Sequence, residues 1–180
     1  MRARPKEGGM RRRNVAIILV AVAASLAIGF VYLTGDTQGY PRKLGSMTMA
    51  KFTSGASALS ELTIMHSMSP EVKMVDAFIV EYEGKEGTSA IVYVSIAEDE
   101  EQAQDLLDQM NDKIDPGDGY TYTREMSLPG DDYPAVYYTE GHGAHHYLWA
   151  EGDKVYWIAV QGLSLSARLD LLEESLGALP

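Results

Sequence analysis

The longest apolar stretch of the chain runs from Val15 to Leu33, nineteen residues without a charge, directly behind Arg11, Arg12 and Arg13. As a helix rising about 1.5 Å per residue it would span roughly 28 Å, close to the ~30 Å hydrocarbon core of a bilayer. The pattern therefore predicts a transmembrane helix over 15–33. A secretory signal peptide is the competing reading, but its apolar region runs about 7–15 residues and ends near a small-x-small site. The clear site of that kind, Ala21-Val22-Ala23, falls inside the run, and cleavage there would leave too short an apolar region. A cut near Thr37-Gln38-Gly39 is the weaker alternative.

Beyond a polar linker, 34–43, the pattern changes to short segments typical of a globular domain over 44–180. Thr53 and Ser54 are good helix N-caps, and Ala56, Leu59, Leu62 and Met65 follow on one face up to about His66. Lys73 to Glu83 and Thr88 to Ile96 read as strands joined by the turn Glu83-Gly84-Lys85-Glu86-Gly87. The second of them is nearly all apolar and is expected at the sheet centre. A second helix is marked by Ala103, Leu106, Leu107, Met110 and Ile114 at spacings of three and four, with Glu98 to Glu101 crowding its positive end. Four more strands are expected over Tyr120–Leu128, Pro134–Glu140, Ala144–Glu151 and Lys154–Gln161, separated by turns rich in glycine and aspartate. A closing helix starts at Ser164 or Ser166 with Leu165, Leu169, Leu172 and Leu176 as its apolar stripe. The expected fold is α+β: an antiparallel sheet of about six strands with three helices packed mainly on one face.

Charge sharpens the division of the chain. The formal net charge of −11 is made of +5 in residues 1–14, where six basic residues face Glu7, and −16 in residues 34–180, where 25 acidic residues face nine basic ones. The positive-inside bias places the basic tail, 1–14, in the cytoplasm and the acidic domain outside. So acidic a surface argues against nucleic acid or anionic lipid as a partner. There is no cysteine, which removes disulfides, thiolate metal sites and cysteine nucleophiles, and an exported domain built without disulfides fits a prokaryotic protein.

Three constellations bear on chemistry. His142, His145 and His146 fall within five residues, with Glu140 as the nearest carboxylate and Asp131 or Asp132 further off. Imidazole suits zinc and copper, yet on a strand His145 and His146 point to opposite faces, so at most two of the three converge easily. The bland alternative is turn and strand-surface histidines. Met47, Met49, Met65, His66, Met68 and Met74 offer soft ligands for Cu(I), although methionine is also an adaptable core filler. No resident cofactor is expected, with Zn or Cu as the alternative. The last third is rich in aromatics, and alternation brings half of them to each face. Tyr138, Tyr147, Trp149 and Trp157 are the candidates for an exposed binding surface, against the alternative that both faces are covered. The adjacent acids at 98–101, 131–132 and 173–174 lack the burial that separates two pKa values for acid/base work, and neither a Gly-x-Ser-x-Gly elbow nor a phosphate-cradling glycine loop occurs.

The segment Tyr147-Leu148-Trp149-Ala150-Glu151-Gly152-Asp153-Lys154-Val155-Tyr156-Trp157-Ile158-Ala159-Val160, leading to Ser164 and an amphipathic helix, resembles the C-terminal module of uncharacterised extracytoplasmic domains in membrane-anchored bacterial proteins. The resemblance covers about a quarter of the chain and brings no catalytic residues. It implies a binding or sensory role. The expectation is thus a single-pass membrane protein, tethered through 15–33, whose outer domain binds a protein, lipid or small ligand. A metal-binding protein built on His142, His145 and His146 is the alternative.

Overall fold

The computed structural model describes residues 37–66, 74–114, 116–128 and 133–180, and of Met65 and His66 the backbone only. The 15–33 run lies outside the described residues, among which no helix is long and apolar enough to cross a membrane. The regular elements among the described residues belong to the unit Gly39–Pro180. In chain order they are β1 (Lys43–Leu44), β2 (Met47–Ser54), α1 (Ala56–His66), β3 (Met74–Glu83), β4 (Ser89–Ala97), α2 (Glu100–Lys113), β5 (Arg124–Met126), β6 (Val136–Gly141), β7 (Ala144–Glu151), β8 (Lys154–Gln161) and α3 (Leu165–Ala178).

The strands form one antiparallel sheet of eight in the order β1-β2-β3-β4-β8-β7-β6-β5. The fold is therefore α+β as the patterning implies, with two more strands than expected. The additional pair is β1 and β2. In β2 only Met47 is buried, so the period-two signal is missing there, and its residues read instead as a methionine cluster and a helix cap. Two meanders, β1–β4 and β5–β8, meet at the central pair β4–β8, which explains why both strands are almost continuously apolar.

Alternation sends the strand side chains into two layers. On one face, Phe78, Val80 and Tyr82 of β3, Val92 and Val94 of β4, Tyr156 and Ile158 of β8 and Tyr147 and Trp149 of β7 form the largest cluster, closed by Leu171 and Leu172 of α3. On the other face, α1 lays Ala58 and Leu62 on Ala77 and Ile79, and α2 lays Ala103, Leu106, Leu107 and Met110 on Leu148 and Val155. The three helices are thus divided two and one between the faces, rather than gathered mainly on one. Aromatics on both sides of the β7–β8 hairpin leave no apolar face that water could cover cheaply, so each side needs its own helix.

Local signals hold well at α2, whose five stripe residues are all buried and whose N-cap Asp99 accepts from the Gln102 amide at 2.9 Å. They fail on α3. Ser164 is its N-cap, but Leu165 is 63% and Leu169 39% exposed, while Leu171, Leu172 and Ser175 are buried. Leucines stud the helix on more than one side, so spacing alone leaves two stripes open and the sheet selects one of them. Ser175 tolerates burial because its hydroxyl donates to the Leu171 carbonyl at 2.7 Å. Tyr40, within the 34–43 stretch, is also buried in the larger cluster.

Candidate functional site

The β6–β7 hairpin carries the histidines. Its two-residue turn, His142-Gly143, has φ of 53° and 78°, the positive values that a type I′ connection requires. This turn fixes the register Glu140↔His145 and Thr139↔His146, so His145 and His146 face opposite sides of the sheet.

On the α3 side, Tyr138 lies between Glu140 and His145. Its hydroxyl donates to Glu140 Oε1 and stands 2.8 Å from His145 Nδ1, while Glu140 Oε1 is 3.7 Å from the same nitrogen. A phenol has one proton. With that proton committed to the carboxylate, its oxygen accepts from Nδ1–H, which leaves the lone pair on His145 Nε2. The Tyr138 ring stacks on His145, and the Arg124 guanidinium sits 4.9 Å from the Tyr138 centroid. The tyrosine bond holds the Glu140 carboxyl below its ordinary range, helped by the charges of His145, Arg168 and Arg124. Burial lowers the His145 value, and the repulsion of Arg168 adds to it against the opposing pull of Glu140. Burial, then the bond to Glu140, pushes the Tyr138 phenol up. Arg124 and Arg168 escaped the sequence reading. Their one signal there was scarcity, two of nine basic residues in a domain of charge −16.

On the opposite side, His146 is 5% exposed and both its nitrogens are occupied. Trp157 Nε1–H donates to Nδ1 at 2.9 Å, and since indole is a donor only, Nδ1 carries the lone pair. Nε2–H donates to the Gly141 carbonyl at 3.1 Å. Tyr120 closes this side, its ring edge-on to His146 at 5.3 Å and to His142 at 4.7 Å. Tyr120 pairs with Gly141 in an isolated bridge, and Thr121 continues the attachment through its amide to the Glu140 carbonyl at 2.7 Å. Strand β5 proper is shorter than the expected Tyr120–Leu128 segment.

The histidine triplet therefore does not converge. His146 has no free lone pair, His142 shares its side with Tyr120, and His145 lies across the sheet with Glu140. Among the described residues no group of three or more His, Cys, Asp or Glu side chains is placed to hold a metal ion. Asp131, Asp132 and Met68 lie outside the described residues. Among the described residues Met47 and Met49 pack in the α3-side cluster and Met74 on the opposite face, so these three do not converge either. Of the aromatics expected outside, Tyr138, Tyr147 and Trp149 are 7%, 1% and 1% exposed beneath α3, and Trp157 is half-buried near α2. On the α3 side of the hairpin, the side chains of Glu140, His145 and Arg124 are open to a partner at least in part. A separate cleft of about 320 Å³, with Glu100 and Gln104 on one wall and Tyr133 and Glu151 on others, contains none of the residues chosen from the sequence.

No protein-family model and no curated protein matches the chain. Among solved structures, a GTP binding regulator from Thermotoga maritima is similar at 11% identity and a TM-score of 0.44, over 70% of this chain and 75% of that one. A likeness so distant says nothing about function.

Proposed function

We propose that the chain is a single-pass membrane protein with a cytoplasmic N-terminus that holds an acidic α+β domain outside as a binding or sensory module. The observation that carries this reading is the uncharged run Val15 to Leu33, set between a +5 tail and a −16 domain. The binding spot is the α3-side end of the β6–β7 hairpin. There Glu140 and Tyr138 orient His145 with its Nε2 lone pair free, and Arg124 stands beside them. An acceptor nitrogen, a carboxylate and a guanidinium side by side suit a polar partner that offers both donors and acceptors.

Fractionation of cells producing the full-length chain, followed by protease treatment from outside, tests the topology. The chain is expected in the membrane fraction at full mass, with its C-terminal domain digested and an N-terminal tag protected. A shortened chain in the soluble fraction, or a protected domain, overturns the anchor. Crosslinked co-purification that is lost on Arg124→Ala and Glu140→Ala, in variants with unchanged circular dichroism, places the partner at the hairpin; retention in both variants removes that site.

A further inference from the structure

His146 is held by two bonds that only one protonation state can satisfy. Its neutral Nε2–H form accepts from Trp157 and donates to Gly141. The imidazolium would carry a second N–H on Nδ1, pointed at the indole N–H 2.9 Å away, two donors with no acceptor between them. Among the described residues nothing nearby compensates. The titratable groups around the ring are His142 on the turn, His145 across the strand and Tyr120, with Asp118 acting on Tyr120 and Tyr93 of β4 lying against Trp157; β6 presents Thr139, and in the adjoining cluster Met110 of α2 and Ile114 just beyond it are apolar. Among the described residues no carboxylate pairs with His146. Tyr120 joins this centre to the stretch that precedes β5, as Trp157 joins it to Tyr93 of β4. Its ring rests on His142 and His146 and lies 6.5 Å from the Trp157 ring, and it begins the stretch that covers the free side of β6.

We propose that the His146–Trp157–Tyr120 centre is an acid-sensitive latch: protonation of His146 unseats Tyr120 and releases the segment Pro116–Met126 from β6, exposing that strand's edge. The indole cannot turn its donor into an acceptor, so ring and indole must part, and the Tyr120 ring loses the surface it rests on. The Thr121 bonds to Glu140 and Thr139 follow it. The direction is fixed by linkage. Burial lowers the His146 value, with the Gly141 acceptor opposing, so the opened state binds the proton first. Closure is complete above the ordinary histidine value of about 6.5 and weakens as pH falls below it. The latch is a property of the domain alone and does not depend on the anchor.

The test uses the full-length chain in detergent micelles, with nitrogen NMR of the His146 ring and amide hydrogen exchange as a function of pH. At pH 7.5 the ring is expected in the Nε2–H form. Below about pH 6.5, protection factors at Tyr120–Met126 should fall by up to about tenfold per pH unit, the limit for one linked proton, while those of β3 and β4 stay constant. His146→Gln should abolish this dependence. Trp157→Phe, which removes the opposing N–H and leaves the histidine in place, should keep the onset near pH 6.5 and reduce the total loss of protection, because the closed state then tolerates the protonated ring. An Nδ1–H ring at pH 7.5, a parallel loss of protection in β3 and β4, or a Trp157→Phe variant as acid-sensitive as the parent each overturns the latch.

Discussion

Replacing Gly141 by alanine tests whether the Tyr120 ring is wedged against β6. Gly141 is not among the glycines of positive φ, so an alanine there meets no backbone penalty and only a steric one. Its Cβ would run into Cδ1 of Tyr120 first and stand 2.8 Å from both Cγ and Cε1, well inside ordinary contact. The ring would have to withdraw by about 0.6 Å or more to restore a normal carbon–carbon separation. It has little room to do so, with His142 centred 4.7 Å and His146 5.3 Å away. Overpacking of this kind costs about 1–3 kcal/mol, against which the lower chain entropy of unfolded alanine returns about 0.4–1 kcal/mol, leaving a net loss of about 1–2 kcal/mol. Urea unfolding followed by tryptophan fluorescence measures it. In a Tyr120→Ala background the same change should be neutral or slightly stabilising, so the double-mutant cycle should show a coupling of about 1–3 kcal/mol, the overpacking term alone. A neutral Gly141→Ala, or an equal cost in both backgrounds, would refute the wedge.

Three further outcomes follow from the packing and the buried phenols. Leu172→Ala should cost about 2–5 kcal/mol in denaturant unfolding and Leu165→Ala less than about 0.5 kcal/mol, since the first is buried on the sheet and the second faces solvent; equal costs would mean that α3 seats another face. Asp99→Ala should lose about 1 kcal/mol and Ser164→Ala less, because the cap bonds measure 2.9 and 3.4 Å; the reverse order in thermal melts would contradict this. Burial pushes the Tyr82 phenol up to about 12 and those of Tyr40, Tyr138 and Tyr156 further. Their folded values lie above the unfolded value of about 10, so their contribution is complete below pH 10 and is lost as pH rises beyond it. Unfolding midpoints that stay level between pH 9 and 11.5 would be incompatible with four buried phenols.

Much of the fold was legible wherever one residue type did one job. Helix α2 is an example, since its apolar positions, acidic first turn and cap all agree. The hairpins β6–β7 and β7–β8 were equally clear, because glycine turns fix two-residue connections and β-branched and aromatic residues fill the strands. Strand β2 was not, because a strand with one buried residue has no periodicity to read. The site was legible as a group of residues and not as a geometry. Adjacent histidines imply opposite faces, which the structure bears out, but Tyr120, Arg124 and Arg168 reach the two centres from other segments, and no spacing along the chain announces such meetings.

By itself, the sequence determined an uncharged nineteen-residue run between a basic tail and an acidic domain, the α+β class and the position of most strands and helices. These follow from local periodicity and charge, which act within a few residues. Tertiary structure decided which leucines of α3 face inward, how the helices divide between the two faces, and that Tyr138, Tyr147 and Trp149 serve the core. It also decided that His145 keeps a free nitrogen while His146 keeps none. The physical reason is the same in each case: burial and hydrogen-bond satisfaction depend on what the opposite surface supplies, and that surface comes from residues far away in the chain.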